Sequence, residues 1–333
     1  MVSPMIPPPS APAFLAEHGW GGARIEPLAG DASFRRYFRV LDDARGRQAV
    51  LMDAPPEHED VRPFLAIADH LDAHGLRAPR ILAHDLDRGL LLIEDFGDRR
   101  VNPVLAEEPE LERAVYEQAV DTLAALHRHS LPEVAPYDAA AFQREARLFA
   151  EWYAPAAGLE IDAAAYDAAW EQAWSGALAR TKAAPVLVLR DYHADNLMLL
   201  DDGALGLLDF QDALAGHRAY DLVSLLQDAR RDVSPELEAA MIDRYLATAG
   251  ITDRDTFLAD YAVIGAQRHA KVLGIFTRLW KRDGKPHYLA FQPRNWGMME
   301  RCLAHPALSG VRAWFDANVP AEARATAFAD HAE

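Results

Sequence analysis

The chain has 333 residues, half of them apolar, with 51 acidic against 34 basic side chains and a formal charge of −17. Length and apolar content allow two domains with a substantial core, while the negative charge argues against nucleic acid, whose phosphates need a basic surface. No run of eighteen apolar residues is present to span a membrane, and the single Cys302 excludes an internal disulfide, fits a reducing cytosol and is expected to be buried packing. In chain order, MVSPMIPPPSAPA is proline-rich with neither a basic start nor an apolar run, so residues 1–19 are expected as a loose tail and lead-in, not a signal peptide. Three short strands are predicted across 23–53, joined by AGDASFRR (29–36) and the polar loop DDARGR (42–47). A helix follows from about Val61 to Ala73, with Phe64, Leu65, Ala68 and Leu71 at three- and four-residue steps. Pro79–Ala83 and Gly89–Phe96 read as two more strands, the second a nearly continuous apolar run. After Asn102-Pro103 the pattern changes to long helices, near 109–129, 138–153 and 162–182, and again at 220–230, 235–248, 254–280 and 321–331. The expected architecture is α+β, a small β-rich lobe over 20–102 and a larger, mainly helical lobe over 103–333.

Between those helices lies LVLRDYHADNLMLLDDGALGLLDF. Asp202-Gly203 separates two apolar runs, Leu197–Leu200 and Ala204–Leu208, which is a strong hairpin signal because both residues tolerate the positive φ of a type I′ turn. With 202 and 203 as a two-residue loop, Asn196 is expected directly opposite Asp209. Two oxygen ligands at one end of a hairpin suit a hard cation such as Mg²⁺, held by one or two protein oxygens plus phosphates. Asp191, five residues upstream of Asn196, is then placed to accept a hydroxyl proton. An ordinary surface hairpin with polar ends is the competing reading. RDYHADN resembles the protein-kinase catalytic loop H-R-D-x-x-x-x-N, matching it at Arg190, Asp191 and Asn196 but with Leu189 in place of His, and LLDF supplies the metal-binding Asp209.

Other segments bear on the same chemistry. Gly30, Asp31, Ala32, Ser33, Phe34 and Arg35 join the first two strands, where small residues let backbone N–H groups approach phosphate; a plain hairpin turn has the same composition. The strand that should offer a lysine reads Ala49-Val50-Leu51-Met52-Asp53, with Met52 at the lysine position, and no lysine precedes Lys182. Arg35 or Arg36 is the nearest replacement cation. Glu94-Asp95-Phe96-Gly97 contains D-F-G but precedes the catalytic loop, so Glu94 and Phe96 are assigned to an adenine-contacting hinge. Asp221 is expected to hold the catalytic-loop backbone. His193 stands where protein kinases have a phosphoryl-contacting lysine, or is a structural loop histidine. Asp212 faces substrate or caps a turn. Residues 268–294 hold seven Lys or Arg and one acid; Arg268, Lys271 and Arg278 fall near one helix face, either converging on a substrate carboxylate or forming a solvated basic face.

Taken together, these segments resemble the aminoglycoside phosphotransferase-like superfamily over about residues 20–300. The resemblance implies a bilobal, protein-kinase-like fold that uses ATP and Mg²⁺, with Asp191 as base, Asn196 and Asp209 as metal ligands, and Met52 a departure from the family's strand lysine. AGDASFRRYFRV, LMDAPPE, YDLVSLLQDARRDV and RHAKVLGIFTRL look most like the cell-wall-recycling branch, which implies phosphorylation of N-acetylmuramate or N-acetylglucosamine at the anomeric hydroxyl by a cytoplasmic monomer. Kinases of the homoserine, choline or aminoglycoside type, and a non-catalytic nucleotide-binding regulator, are the alternatives; the basic 268–294 stretch fits a cationic substrate poorly.

Overall fold

A computed structural model describes residues 5–28, 34–324 and 328. The chain forms α1 (Ala11–Glu17), β1 (Arg24–Pro27), β2 (Arg36–Asp42), β3 (Arg47–Asp53), α2 (Arg62–Ala73), β4 (Ile81–Asp85), β5 (Leu90–Ile93), α3 (Val101–Glu107) and α4 (Glu112–Leu126). Then come α5 (Ala139–Leu148), α6 (Ala154–Ala156), α7 (Ala163–Ala183), β6 (Val186–Val188), β7 (Leu197–Leu199), β8 (Leu205–Leu207) and β9 (Leu214–Gly216). The remaining helices are α8 (Ala219–Leu226), α9 (Pro235–Ala249), α10 (Arg254–Asp283), α11 (Gln292–Leu303) and α12 (Ser309–Asn318). They fall into two compact units, Met1–Pro109 with Asp195–Ala213, and Glu110–Ala194 with Leu214–Glu333.

The first unit is built on an antiparallel sheet of order β1-β2-β3-β5-β4. Strand residues alternate between faces. Phe38 and Val40 of β2, Ala49 and Leu51 of β3, and Leu90 and Leu92 of β5 turn one way and pack with Ala11, Phe14 and Leu15 of α1. This corrects the expected loose lead-in over 1–19: Pro12 in the first turn of α1 and an apolar face make a short helix that covers the sheet. Tyr37, Arg39, Val50 and Ile93 take the other parity and line a cavity. The five predicted strands and the helix at Arg62–Ala73 are present, while α3, with Pro103 in its first turn, occupies what the sequence marked only as a boundary.

The β7–β8 hairpin also belongs to this unit, rather than to the helical part to which the sequence assigned it. Its register pairs Leu197 with Leu207, Met198 with Gly206 and Leu199 with Leu205. That is one residue away from the expected pairing. The loop has three residues, not two: the Leu200 N–H donates to the Ala204 carbonyl (3.0 Å), and Gly203 sits at φ +81° with its N–H on the Leu200 carbonyl (2.9 Å). A turn followed by a left-handed glycine is the common three-residue solution. Asn196 therefore lies opposite Leu208, whose N–H donates to its carbonyl at 2.9 Å. Backbone bonds from Leu207 to Arg77 (2.8 Å) and Leu199 to Arg99 (2.8 Å) tie the hairpin into the unit. Gly206 is required there, since a Cβ would come within 2.7 Å of the Phe96 ring.

The second unit is helical apart from the β6–β9 pair. Its axis is α10, capped by the Asp253 carboxylate on the Thr256 N–H and ended by left-handed Gly284. Phe149, Tyr153, Tyr166, Trp296 and Phe315 form an aromatic core. Helices α11 and α12 were not predicted. Of the helix expected at 321–331, the described residues show a 3-10 turn, Ala321–Ala323, and most of the rest of that span lies outside them. Among the described residues no helix is long and apolar enough to cross a membrane.

Candidate active site

In the second unit, Asp191 lies in the loop after β6, where Arg190 is held at φ +72°. Left-handed backbone is costly for a residue with a Cβ, and the fold meets that cost with Asp221. This fully buried carboxylate accepts the N–H groups of Leu189 (2.6 Å) and Arg190 (2.8 Å), as predicted. Burial pushes the Asp221 carboxyl up to about 7, against the opposite pull of those two N–H groups.

Asp191 is half-buried. Burial alone would raise its pKa, but Lys271, Arg268 and Arg190 together hold it below the usual carboxylate range. It is therefore an ionised proton acceptor at neutral pH. Arg268 and Lys271 are buried, at 5 % and 9 % exposure, so the solvated-face alternative fails for both. Lys271 donates to Glu145 (3.0 Å) and to the Tyr220 hydroxyl (3.2 Å); Arg268 donates to the Ser224 hydroxyl (2.7 Å). Arg278 does not join them: its electrostatic neighbours are Arg282, Asp283 and Glu151. His193 is buried with Nε2 3.2 Å from an Arg230 nitrogen, and burial keeps its pKa below normal, so the ring is neutral.

Two residues of this constellation escaped the sequence. Glu145 of α5 accepts from Arg190 (2.5 Å), Lys271 and the Tyr137 hydroxyl. Despite burial, those cations keep its pKa below normal. Arg230 reaches His193 from the segment after α8. Glu145 is one charge in an unremarkable run, and Arg230, though inside the quoted YDLVSLLQDARRDV segment, carries no role of its own there; only folding brings either to the loop.

In the first unit, Asn196 and Asp209 meet despite the shifted register. After β8, Asp209 adopts φ +58°, a left-handed step that aspartate tolerates, and its Oδ2 lies 3.4 Å from the Asn196 amide nitrogen. Gln211 donates to Asp209 Oδ1 at 2.9 Å, and Arg35 donates to the same oxygen at 3.0 Å. An amide and a carboxylate side by side are the donor set of a hard cation that keeps sites for phosphate and water. Among the described residues no group of three or more His, Cys, Asp or Glu could hold a metal by itself.

Both residues border the cavity of about 560 Å³, within the range of small-molecule sites. Glu94, Asp95 and Phe96 line it too. The Glu94 carboxylate is taken up by Arg77 (3.1 Å) and Arg80 (3.1 Å), and Asp95 by Arg39 (2.7 Å), so this stretch is pinned by its side chains. Gly30, Asp31, Ala32 and Ser33 lie outside the described residues. Phe34 is 62 % exposed and stacks on His58, with ring centroids 4.5 Å apart. Asp212 is exposed and lies 3.4 Å from the Gln211 amide.

Residues 24–258 match the family model described as phosphotransferase enzyme family. The chain belongs to that family. It is 42 % identical to an N-acetylmuramate/N-acetylglucosamine kinase of Caulobacter vibrioides, over 94 % of this chain and 96 % of that one. A Pseudomonas aeruginosa protein of the same name is 40 % identical, over 87 % and 88 %. Among solved structures, a choline/ethanolamine kinase family protein from Mesorhizobium loti aligns with a TM-score of 0.61 at 16 % identity, over 91 % of this chain and 98 % of that chain. The ADP-bound aminoglycoside phosphotransferase APH(2'')-Ib aligns at 0.55 and 14 %, over 85 % and 93 %. These matches give the α+β kinase-like fold, and with the family make the chain a phosphotransferase.

Proposed function

We propose that this chain is an ATP- and Mg²⁺-dependent kinase that phosphorylates the anomeric hydroxyl of N-acetylmuramate and N-acetylglucosamine. The observation that carries the substrate is the 42 % identity, over nearly the whole of both chains, to a protein bearing that name. The cations around Asp191 support it, since they favour an anionic sugar over cationic choline or an aminoglycoside.

In this reading Asp191, ionised, accepts the proton of the anomeric hydroxyl as that oxygen bonds to the γ-phosphorus and ADP departs. A hemiacetal hydroxyl is more acidic than an ordinary alcohol, so a carboxylate suffices as base. Asn196 and Asp209 would hold Mg²⁺, which would supply positive charge to offset that of the nucleotide's phosphates. Arg268 and Lys271 keep Asp191 ionised and set a positive field for the substrate. His193 stands beside Asp191 as a neutral donor toward the transferred group, and Asp212 contacts the sugar. Glu94 and Phe96 border the adenine, and residues 30–35 are assigned to phosphate binding. We place the enzyme in the cytoplasm, where its ATP is.

A panel of N-acetylmuramate, N-acetylglucosamine, choline, homoserine and an aminoglycoside, assayed with ATP and Mg²⁺ for ADP release, tests the assignment. Phosphorus NMR of the product should show a doublet from coupling to the single anomeric proton. Turnover confined to choline, homoserine or the aminoglycoside, or a triplet from a primary phosphate, would refute it.

A further inference from the structure

The stretch from Arg35 to Arg39 holds three arginines, and strand alternation sends them to different tasks. Arg36 lies directly across from Asp53 and pairs with it, on the face shared with Phe38 and Leu51. Arg39 shows its side chain to the cavity, but the guanidinium is committed to Asp95, Asp98 and the Gly97 carbonyl. Arg35 has the parity of Tyr37 and Arg39, is 8 % exposed, and sets Nη2 3.0 Å from Asp209 Oδ1. On β3, the position where a kinase lysine is expected is Met52, which is 1 % exposed and pairs with Tyr37 on that same face. Continuing the β2–β3 register one residue before Arg36 makes residue 35 a diagonal neighbour of residue 52, and diagonal Cβ atoms across a strand pair lie about 7–8 Å apart, within reach of a long side chain.

We propose that Arg35 is the phosphate clamp of this enzyme, the charge having moved from residue 52 of β3 to the residue just before β2. The inference rests on the kinase reading above. A guanidinium presents five N–H donors in one plane, so one nitrogen can steady Asp209 while others meet phosphate oxygens. A lysine offers one compact ammonium and cannot divide its donors so rigidly. The double role explains the orientation of Asp209: Arg35 and Gln211 both fix Oδ1, which turns Oδ2 toward Asn196. A methionine at 52 then fills apolar space between Tyr37 and Leu91 at no electrostatic cost.

The test is calorimetric binding of Mg·ATP and of adenosine, which lacks phosphates, to the full chain. Arg35→Met should weaken Mg·ATP at least fivefold and leave adenosine within twofold. Adding Met52→Lys to that variant should recover at least half of the lost binding, on a logarithmic scale. If a thermal melt shows Arg35→Met to be unfolded, Arg35→Gln takes its place with the same thresholds. A loss below fivefold, an equal loss for adenosine, or a smaller recovery overturns the proposal. A wild-type chain that binds neither probe would bring down the kinase reading itself, and this inference with it.

Discussion

Asp191 shows how a half-buried carboxylate can keep its charge. Desolvation works against its charge, but the cations Lys271, Arg268 and Arg190 outweigh it. Asp191→Asn keeps the shape and removes the acceptor; we expect kcat to fall about 10²–10⁴-fold, with Mg·ATP affinity from calorimetry within threefold of wild type. Because Asp191, the proposed base, has a pKa held below the ordinary carboxylate value, its protonation should not limit kcat/KM above about pH 5, which a pH–rate profile checks. Glu145 makes a stability prediction of definite sign. Its folded pKa lies below the unfolded value of about 4.3, so its contribution is present above that value and is lost as pH falls through the folded one. Glu145→Gln leaves Arg190 and Lys271 without their counter-charge, and should cost about 3 kcal/mol at pH 7. Urea unfolding should show the gap from wild type narrowing below about pH 4.

Among the elements, α1 is the one whose worth the composition hid. Phe14 is wholly buried against Phe38, Leu51 and their neighbours. Phe14→Ala should therefore cost about 3–5 kcal/mol in denaturant unfolding, whereas a loose lead-in would make it silent. The hairpin shows what sequence patterning could and could not deliver. Two apolar runs around Asp202-Gly203 announced it, and Asn196 and Asp209 were legible as its polar ends. The loop length was not, because Asp-Gly serves both a two-residue turn and the last two places of a three-residue loop. A slip of one residue reverses every side chain, yet the left-handed step at Asp209 restores the meeting with Asn196. Pro103 misled in the same local way: it sits in the first turn of α3, where proline is tolerated, and reads as a boundary when taken alone. Glu145 and Arg230 were beyond reach for another reason, since tertiary contacts alone make them part of the Asp191 loop.

At the scale of the molecule, the sheet unit is discontinuous: its first segment ends at Pro109 and the hairpin that completes it spans Asp195–Ala213. A fragment ending at residue 109 would lack the backbone partners of Arg77 and Arg99, and with them Asn196 and Asp209. We expect that fragment to give poorly dispersed amide signals in NMR and no Mg·ATP binding; a folded, nucleotide-binding fragment would show the hairpin to be an accessory. The same discontinuity sets a clock for the nascent polypeptide. Roughly 85 residues must leave the ribosome between the two pieces, and at about 5–20 residues per second the wait is on the order of 4–17 s. For that interval the strands stand at the tunnel exit with one wall missing, and Asn196 and Asp209 cannot be brought together until translation is nearly two-thirds done.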